Sequence, residues 1–471
     1  MTQSALSVDD LAQLEPEEDA SYIAPPWRIS HWGIAEWFVV AQTALPAMLL
    51  IPGTQLLRLP ARMSAFLLPL AILVYMVAIR NVALPRHPSQ PWLVASVAYL
   101  SLMIAHPTTN SLVGGAAQVG LYICVMSPLF WAPSLVRSPE HLRRIMVLLL
   151  LTNGINAAVG VLQVYDPDTW MPAELSRIVT GSRYGLGVVS YIGADGQRII
   201  RPPGLFDTPG AVAGPGMFAG LLGAVFAASR IRPLYRVVAA VFAVAGIMAI
   251  YLSQVRTSLV LLTIMLVVYL LALLVQRRGR SAVAFSTLLA VVVAGGLSAA
   301  VSLGGAAVLT RVTTLFEADP FELYYSSRGN QVAYAFGDVA DFPFGSGLGR
   351  WGMTALYFFD ESNLDAPSIW AEIQINGWLI DGGLILLCTY GLAILVNTMY
   401  EWRVTRHSAD DWVRASGAVV LAANMGTALL CFTFTPFLTA QGVQYWFLAG
   451  ALYGVVDGAR ERDAALPPPG S

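Results

Sequence analysis

Three arginines stand in polar segments that interrupt long apolar stretches. The first, Arg201, lies in Arg198-Ile199-Ile200-Arg201-Pro202-Pro203-Gly204-Leu205-Phe206-Asp207-Thr208-Pro209-Gly210. The second is Arg256, in Ser253-Gln254-Val255-Arg256-Thr257-Ser258, and the third is Arg328, in Ser326-Ser327-Arg328-Gly329-Asn330-Gln331. A glycine-rich turn follows the third, Pro343-Phe344-Gly345-Ser346-Gly347-Leu348-Gly349. A guanidinium is planar, stays protonated and offers a donor fork that fits two oxygens of a phosphate, so such a set suits an anionic group, above all a diphosphate. Further on come Glu372, Asn376 and Asp381, and a carboxylate there could take the proton of an attacking hydroxyl.

The elements that must hold these groups are membrane helices. With 56% hydrophobic and only 12% charged residues, the chain is too apolar for a soluble protein of this length. Spans of roughly 20 apolar residues can be drawn about twelve times along it, near 35–52, 64–80, 91–107, 115–136, 145–165, 210–229, 236–254, 257–276, 283–308, 379–399, 417–438 and 444–458. The apolar run 236–276 is about twice the membrane thickness, which predicts a reversal at Ser253–Ser258. The fold expected is therefore all-α and polytopic. Two long loops, 166–209 and 309–367, carry short helices and fall on one side.

Arginine is the only fixed cation, and it clusters in alternate loops: Arg80 and Arg86; Arg137, Arg143 and Arg144; Arg230, Arg232 and Arg236; Arg277, Arg278 and Arg280; Arg403, Arg406 and Arg414. Such loops stay in the cytoplasm, which places both termini there and the two long loops outside, in the periplasm of a bacterial inner membrane. Arg58 and Arg62, in the first outer loop, run against this pattern as a minor exception. Residues 1–30 read as an acidic cytoplasmic tail with no signal-peptide pattern, 31–458 as the membrane domain, and 459–471 as a disordered Pro-rich cytoplasmic tail.

Metal chemistry has little to stand on. Cys124, Cys388 and Cys431 all fall inside spans, which predicts core packing, and Asp166-Pro167-Asp168 has no second acidic group at ligand spacing. His106 is the only histidine expected on the outer side and reads as a span-end residue. No phosphate loop is present, and no cofactor is expected. An outward-facing enzyme without ATP needs a substrate that arrives activated, such as a glycan on polyprenyl pyrophosphate.

In the order of these parts the chain resembles the O-antigen ligase and polymerase family of bacterial membrane glycosyltransferases over about residues 145–400. Arg201, Gly204, Phe206 and Pro209 match the family's first arginine segment, with Gly210 in place of the usual Asn. Ser253 and Arg256 match its second turn, with Val255 where Ser is common, and Arg328, Pro343, Gly345 and Gly347 match its outer helix and turn. The family places a His ahead of the next span. Counting back from Gly383 puts Glu372 at that position.

The resemblance implies a metal-independent, inverting transfer of a glycan from polyprenyl (undecaprenyl) pyrophosphate to a hydroxyl, in polysaccharide biosynthesis. Arg201, Arg256 and Arg328 would bind the diphosphate, and Glu372 would act as general base. Asn376 is expected beside it on one helix face, and Gly345 and Gly347 in support. Asp381 is a second candidate base. A carboxylate is a weaker base than an imidazole unless apolar neighbours, here Trp370 and Trp378, disfavour its charged form. The lack of the His favours a polymerase acting on another lipid-linked repeat over a ligase acting on lipid A core. Other polysaccharide assembly and export proteins are conceivable partners.

Plainer readings remain beside each residue. Arg201 could anchor a span end, Arg256 could cap a hairpin and snorkel, Arg328 could be a solvated charge like Arg177, Arg183 and Arg198, and Glu372 could be an interfacial carboxylate with a structural partner. The glycines are turn formers before they are phosphate binders. A secondary transporter also has about twelve spans, but it usually carries ionisable groups or broken helices at the midplane, and these spans hold almost no charge.

Overall fold

The computed structural model describes residues 29–51, 53–172, 175, 189–193, 196–317 and 319–465. Arg177, Arg183, most of the N-terminal tail and the Pro-rich end lie outside them. Among the described residues the protein is all-α apart from one short antiparallel hairpin, β1 (Ser190–Ile192) with β2 (Arg198–Ile200), in register Ser190 to Ile200.

Among the described residues, eight helices are long and apolar enough to cross a membrane, not twelve. The remaining four spans fall short for separate reasons. Residues 35–52 form a helix of only 14 residues, Ile34–Ala47, ended after Pro46 by a tighter turn. Gln90–Met103 and Ala213–Ala228 are also short, and the last helix, Ala440–Ala465, carries charge along its final turns. That helix runs on through 459–465, residues that the sequence reading assigned to a disordered tail.

In chain order the helices used below are α1 (Ile34–Ala47), α2 (Arg58–Val74), α3 (Gln90–Met103), α4 (Leu112–Met126), α5 (Pro139–Tyr165), α6 (Ala213–Ala228), α7 (Pro233–Ser253) and α8 (Arg256–Val275). They continue with α9 (Gly279–Gly304), α10 (Ala306–Glu317), α11 (Pro320–Tyr324), α12 (Asn330–Asp338), α13 (Gly352–Phe358), α14 (Gln374–His407), α15 (Asp411–Leu429) and α16 (Ala440–Ala465).

Local chemistry sets many of their ends. Ser138 accepts a hydrogen bond from the His141 amide while Pro139 takes the first position of α5, where its missing N–H is not needed. Asp410 likewise accepts from the Trp412 and Val413 amides to start α15. The 236–276 run reverses where expected: α7 stops at Ser253, Gln254 adopts a left-handed conformation (φ 58°), and α8 begins at Arg256. With no hydrophobic drive between helices in lipid, close backbone packing matters, and α6 and α7 meet where Gly216 faces the Gly246 carbonyl. A Cβ on Gly216 would lie 2.8 Å from that oxygen.

Contacts sort the connections into two ends. At one, Arg137 pairs with Asp457 and Glu461, Arg144 and His141 with Glu36, and Arg278 with Asp411, while Gln276 donates to the Thr405 and Arg414 carbonyls. These are the arginine-rich connections. At the other end, Arg62 bonds both Asp207 and Tyr357, Asn110 bonds Asp360 and Ala366, Tyr324 bonds Phe432, and Gln374 bonds Phe434 and Phe437. Both long polar segments lie at this second end.

Candidate functional site

The Arg201 segment is built onto α5 by two amide side chains. Gln163 Nε2 donates to the Gly204 carbonyl and its Oε1 accepts from the Gly204 amide, both at 2.8 Å, and Asn156 Oδ1 accepts from the Leu205 amide at 2.9 Å. The conformation needs Gly204 (φ 68°), which no side chain could occupy against Asn156. Arg201 itself leaves β2, its amide donating to the Val189 carbonyl and its carbonyl accepting from the Gly210 amide. Gly210 then rests on the turn before α8, its Cβ direction 3.4 Å from Val255 Cγ2. The Arg201 loop and the N-terminus of α8, where Arg256 stands, are thus one neighbourhood. Burial pushes the neighbouring Tyr191 phenol well above its ordinary pKa, and the Arg201 charge opposes that shift.

Asp207, inside the same segment, is nearly fully buried and held by two arginines: Arg58 Nε lies 3.0 Å from Oδ2, and Arg62 donates to Oδ1. Arg62 also donates to the Tyr357 hydroxyl at 3.3 Å, tying the first polar segment to the second. The sequence analysis had set Arg58 and Arg62 aside. Their signal was there, since arginines on the outer side contradict the charge rule that the other loops obey, and a carboxylate in the motif offered their partner.

Arg328 sits in a π-helical turn, Tyr325–Gly329, between α11 and α12. Its guanidinium forms an ion pair with Glu372 Oε2. Gln331 Nε2 also reaches Oε2, at 3.5 Å, and Trp370 Nε1 donates to Oε1 at 3.1 Å. Burial lowers the Arg328 pKa. The setting of Glu372 is therefore polar, not the apolar one expected from its tryptophans: Trp370 is largely exposed and hydrogen-bonded to it, and Trp378 stacks on Phe437 instead. Glu372 also precedes α14, whose first residue is Gln374, so it shares no helix face with the half-buried Asn376. The offset arises because Ile373 is extended and Gln374 starts the helix by bonding the 434–437 loop from both its amide and its side chain.

Asp381 is fully buried and far from a free base. It accepts from Gln118 Nε2 (2.9 Å), Tyr122 OH (2.8 Å) and Trp351 Nε1 (2.8 Å). Directly after it α14 breaks, with non-helical dihedrals at Gly382 and Gly383. The backbone groups released there are taken up by the glycine-rich turn: Ser346 N donates to Ile380 O at 2.7 Å and Leu384 N to Pro343 O at 2.9 Å. Gly345 (φ 97°) allows this approach, since a Cβ there would lie 2.8 Å from Gly382 Cα, and Gly347 (φ 93°) similarly abuts the Thr108 carbonyl. Both glycines are packing and turn residues. Arg350 braces the turn by donating to the Ser346 carbonyl (2.6 Å) and the Pro367 carbonyl (2.9 Å). His106 Nδ1 accepts from the Thr108 amide at 3.3 Å, while the Thr108 hydroxyl donates to the Ser346 carbonyl at 2.8 Å.

The predicted residues thus fall into two groups at one end of the bundle, Arg201 with Arg256 and Arg328 with Glu372, and the polar segments that carry them touch through Asp207, Arg62 and Tyr357. Asp166 caps a short helix by accepting from the Thr169 amide, and no group of three or more metal-binding side chains occurs among the described residues. Beside Phe206 a partly open recess with a cavity volume of about 70 Å³ lies between α1, α5, α6 and α16, lined by Phe38, Phe206, Phe218 and Phe447 together with the amides of Gln42, Asn153, Asn156, Gln441 and Gln444. No protein-family profile matches the chain, and no curated protein matches it.

Proposed function

We propose that the protein is a membrane glycosyltransferase that moves a glycan from polyprenyl pyrophosphate to a hydroxyl, with another lipid-linked repeat as acceptor. The observation that carries this reading is the gathering of arginines from separate stretches of the chain at one end of an apolar helix bundle. A cation at a helix N-terminus opposes the helix dipole, yet Arg256 opens α8 and Arg58 opens α2. Arg58 has Asp207 as its counter-charge. Helix-start amides together with a guanidinium form a site that an anion stabilises. The partly open recess beside Phe206, with its four phenylalanines, suits a prenyl chain, which would keep the donor in the bilayer while its headgroup meets the arginines.

In this reading Arg201 and Arg256 hold the diphosphate and stabilise the charge that grows on it as the anomeric bond breaks. Arg328 has a second task. Without donor it occupies Glu372, whose oxygens also take bonds from Gln331 and Trp370, so the carboxylate has little capacity for a further proton. A diphosphate that engages Arg328 competes with Glu372 for its donors, and the freed carboxylate takes the acceptor's hydroxyl proton while the hydroxyl oxygen attacks the anomeric carbon from the opposite face. The diphosphate leaves with the bonding electrons, and the configuration inverts. No metal is required in this scheme. The polar end would face the periplasm of a bacterial inner membrane, with the arginine-rich end and both termini in the cytoplasm.

The test is purified full-length protein in lipid with a polyprenyl-pyrophosphate oligosaccharide. A ladder of longer lipid-linked chains supports the polymerase, and transfer to added lipid A core supports a ligase instead. Absence of product with either acceptor overturns glycan transfer. A second reading, a secondary transporter, draws on the broken span at Gly382–Gly383 with buried Asp381 beside it. Uptake of the intact lipid-free glycan into liposomes without any new glycosidic bond would favour it.

A further inference from the structure

The opposite half of α14 carries a second polar cluster that glycan transfer does not use. Asn397, Glu401 and Thr405 follow one another at four-residue intervals, so they share a face, and all three are fully buried. α15 presents Asn424 and Ser416 to that face, both also buried. Asn424 Nδ2 donates to Glu401 Oε1 at 2.6 Å, Asn397 Nδ2 donates to the same oxygen at 2.8 Å, and a Cβ on Gly417 would lie 3.1 Å from Thr405 Oγ1. The amide donors of both asparagines are thereby committed, each having Tyr445 as its other partner, through the hydroxyl for Asn397 and the carbonyl for Asn424.

What remains is a surplus of oxygen. Glu401 Oε2, Asn397 Oδ1, Asn424 Oδ1, Thr405 Oγ1 and Ser416 Oγ are all buried and, among the described residues, have no hydrogen-bond partner. Each such orphaned atom is unfavourable by itself, and an ionised carboxylate without a cationic partner is far more so. Glu401 has no ion pair with any arginine or histidine among the described residues. Thr405 stands two helical turns from Asn397, about 12 Å along α14, so one ion does not reach every one of these atoms. The three around the Glu401 carboxylate, brought together because both asparagines bond its Oε1, are relieved together by a hard cation, which binds carboxylate and amide carbonyl oxygens. One carboxylate supplies one negative charge, which a monovalent ion neutralises and a divalent ion would exceed.

We infer that the α14–α15 junction, near the arginine-rich end, is a binding site for one monovalent metal cation of the sodium type, with Glu401 as its charged ligand and the amide oxygens of Asn397 and Asn424 beside it. The ion would lock α14, α15 and α16 together, since Tyr445 belongs to α16. The site stands whether or not the outer end transfers glycans.

The probe is Na+ itself, applied to the full-length protein in detergent at constant ionic strength with choline as the replacing cation. The expected results are a midpoint of thermal unfolding higher by roughly 3 °C or more at about 100 mM Na+ than in choline, and saturable binding of radiolabelled Na+ near one per chain. Glu401→Gln removes both effects. If Glu401→Gln does not fold, Asn397→Ala and Asn424→Ala are read instead and weaken Na+ binding at least about tenfold, while Cys388→Ser, on the exposed side of the same helix, leaves it unchanged. Wild-type protein whose unfolding midpoint is the same in Na+ and choline, or which binds no radiolabelled Na+ saturably, overturns the assignment, because a proton or water then satisfies these oxygens. Retention of wild-type Na+ binding in Glu401→Gln overturns it equally.

Discussion

Arg328 and Glu372, separated by most of the second polar segment, form an ion pair that brings the turn before α12 against the strand-like lead into α14. In the proposed scheme, glycan transfer requires that pair to open. Replacing Glu372 by Gln is expected to reduce turnover by about a hundredfold or more, and Arg328→Ala to reduce it while raising the donor KM. Because the two residues act on one event, the double variant should be no worse than Glu372→Gln alone. Initial rates at varied donor concentration check this, and additive losses would separate the two roles.

Asp207 holds Arg58 and Arg62 inside the first polar segment. Asp207→Asn leaves two partly buried guanidinium groups without their counter-charge, and a loss of about 3 kcal/mol in stability is expected. Thermal unfolding in detergent measures it. The triple change Asp207→Asn with Arg58→Gln and Arg62→Gln should recover much of the loss, since no unpaired charge then remains.

Gly345→Ala places a methyl group against the Gly382 backbone at a φ of 97°, where only glycine is comfortable. The expected cost is about 2 kcal/mol or more, together with loss of turnover as the glycine-rich turn leaves the break in α14. Gly337→Ala, with open space around its Cβ direction, is the matched control and should change neither property.

His87, at the arginine-rich end, is buried between the rings of Tyr400 and Tyr453, with Nδ1 accepting from the Ser89 amide. Burial lowers its pKa from 6.5 to about 3. The neutral form is thus favoured on folding, so its contribution is fully present above about pH 6.5 and is lost as pH falls toward 3, where the unfolded chain gains a proton that the folded chain refuses. Between pH 6.5 and about pH 5 this amounts to roughly 2 kcal/mol. Unfolding midpoints across that range should fall more steeply for wild type than for His87→Gln, and parallel curves would contradict the assignment.

Turnover should survive dialysis against a chelator, because arginines supply the positive charge in the proposed scheme. Activity lost with the chelator and restored by a divalent metal would return metal catalysis to consideration.

Much of the fold was legible because apolar length and arginine placement are one-dimensional signals. The reversal at Gln254 and the separation of arginine-rich from polar connections needed nothing more. Helix lengths were less legible: Pro46 shortens α1, and the charged turns of α16 belong to a helix that the composition of 459–465 suggested would end. At the site, motif order picked out Arg201 and Arg256 as neighbours, but setting Asn376 on one face with Glu372 assumed a helix running through both. Long-range partners defeated that assumption, since the 434–437 loop fixes where α14 starts and residues 343–346 fix where it breaks. Asp381 looked like a spare base because sequence spacing could not show three donors arriving from α4 and from Trp351. Arg58 and Arg62 were missed for the same reason, as their shared partner lies far along the chain.

The interruption of α14 leaves its first eight residues as a separate lever. Phe434 and Phe437 grip one end through Gln374, and Ser346 grips the other through Ile380. A short rod fastened at both tips keeps one orientation, and the same turn also holds Leu384 on the far side of Gly382 and Gly383. Asp381, near the end of that rod, is thereby set against its three donors by contacts made at the polar surface.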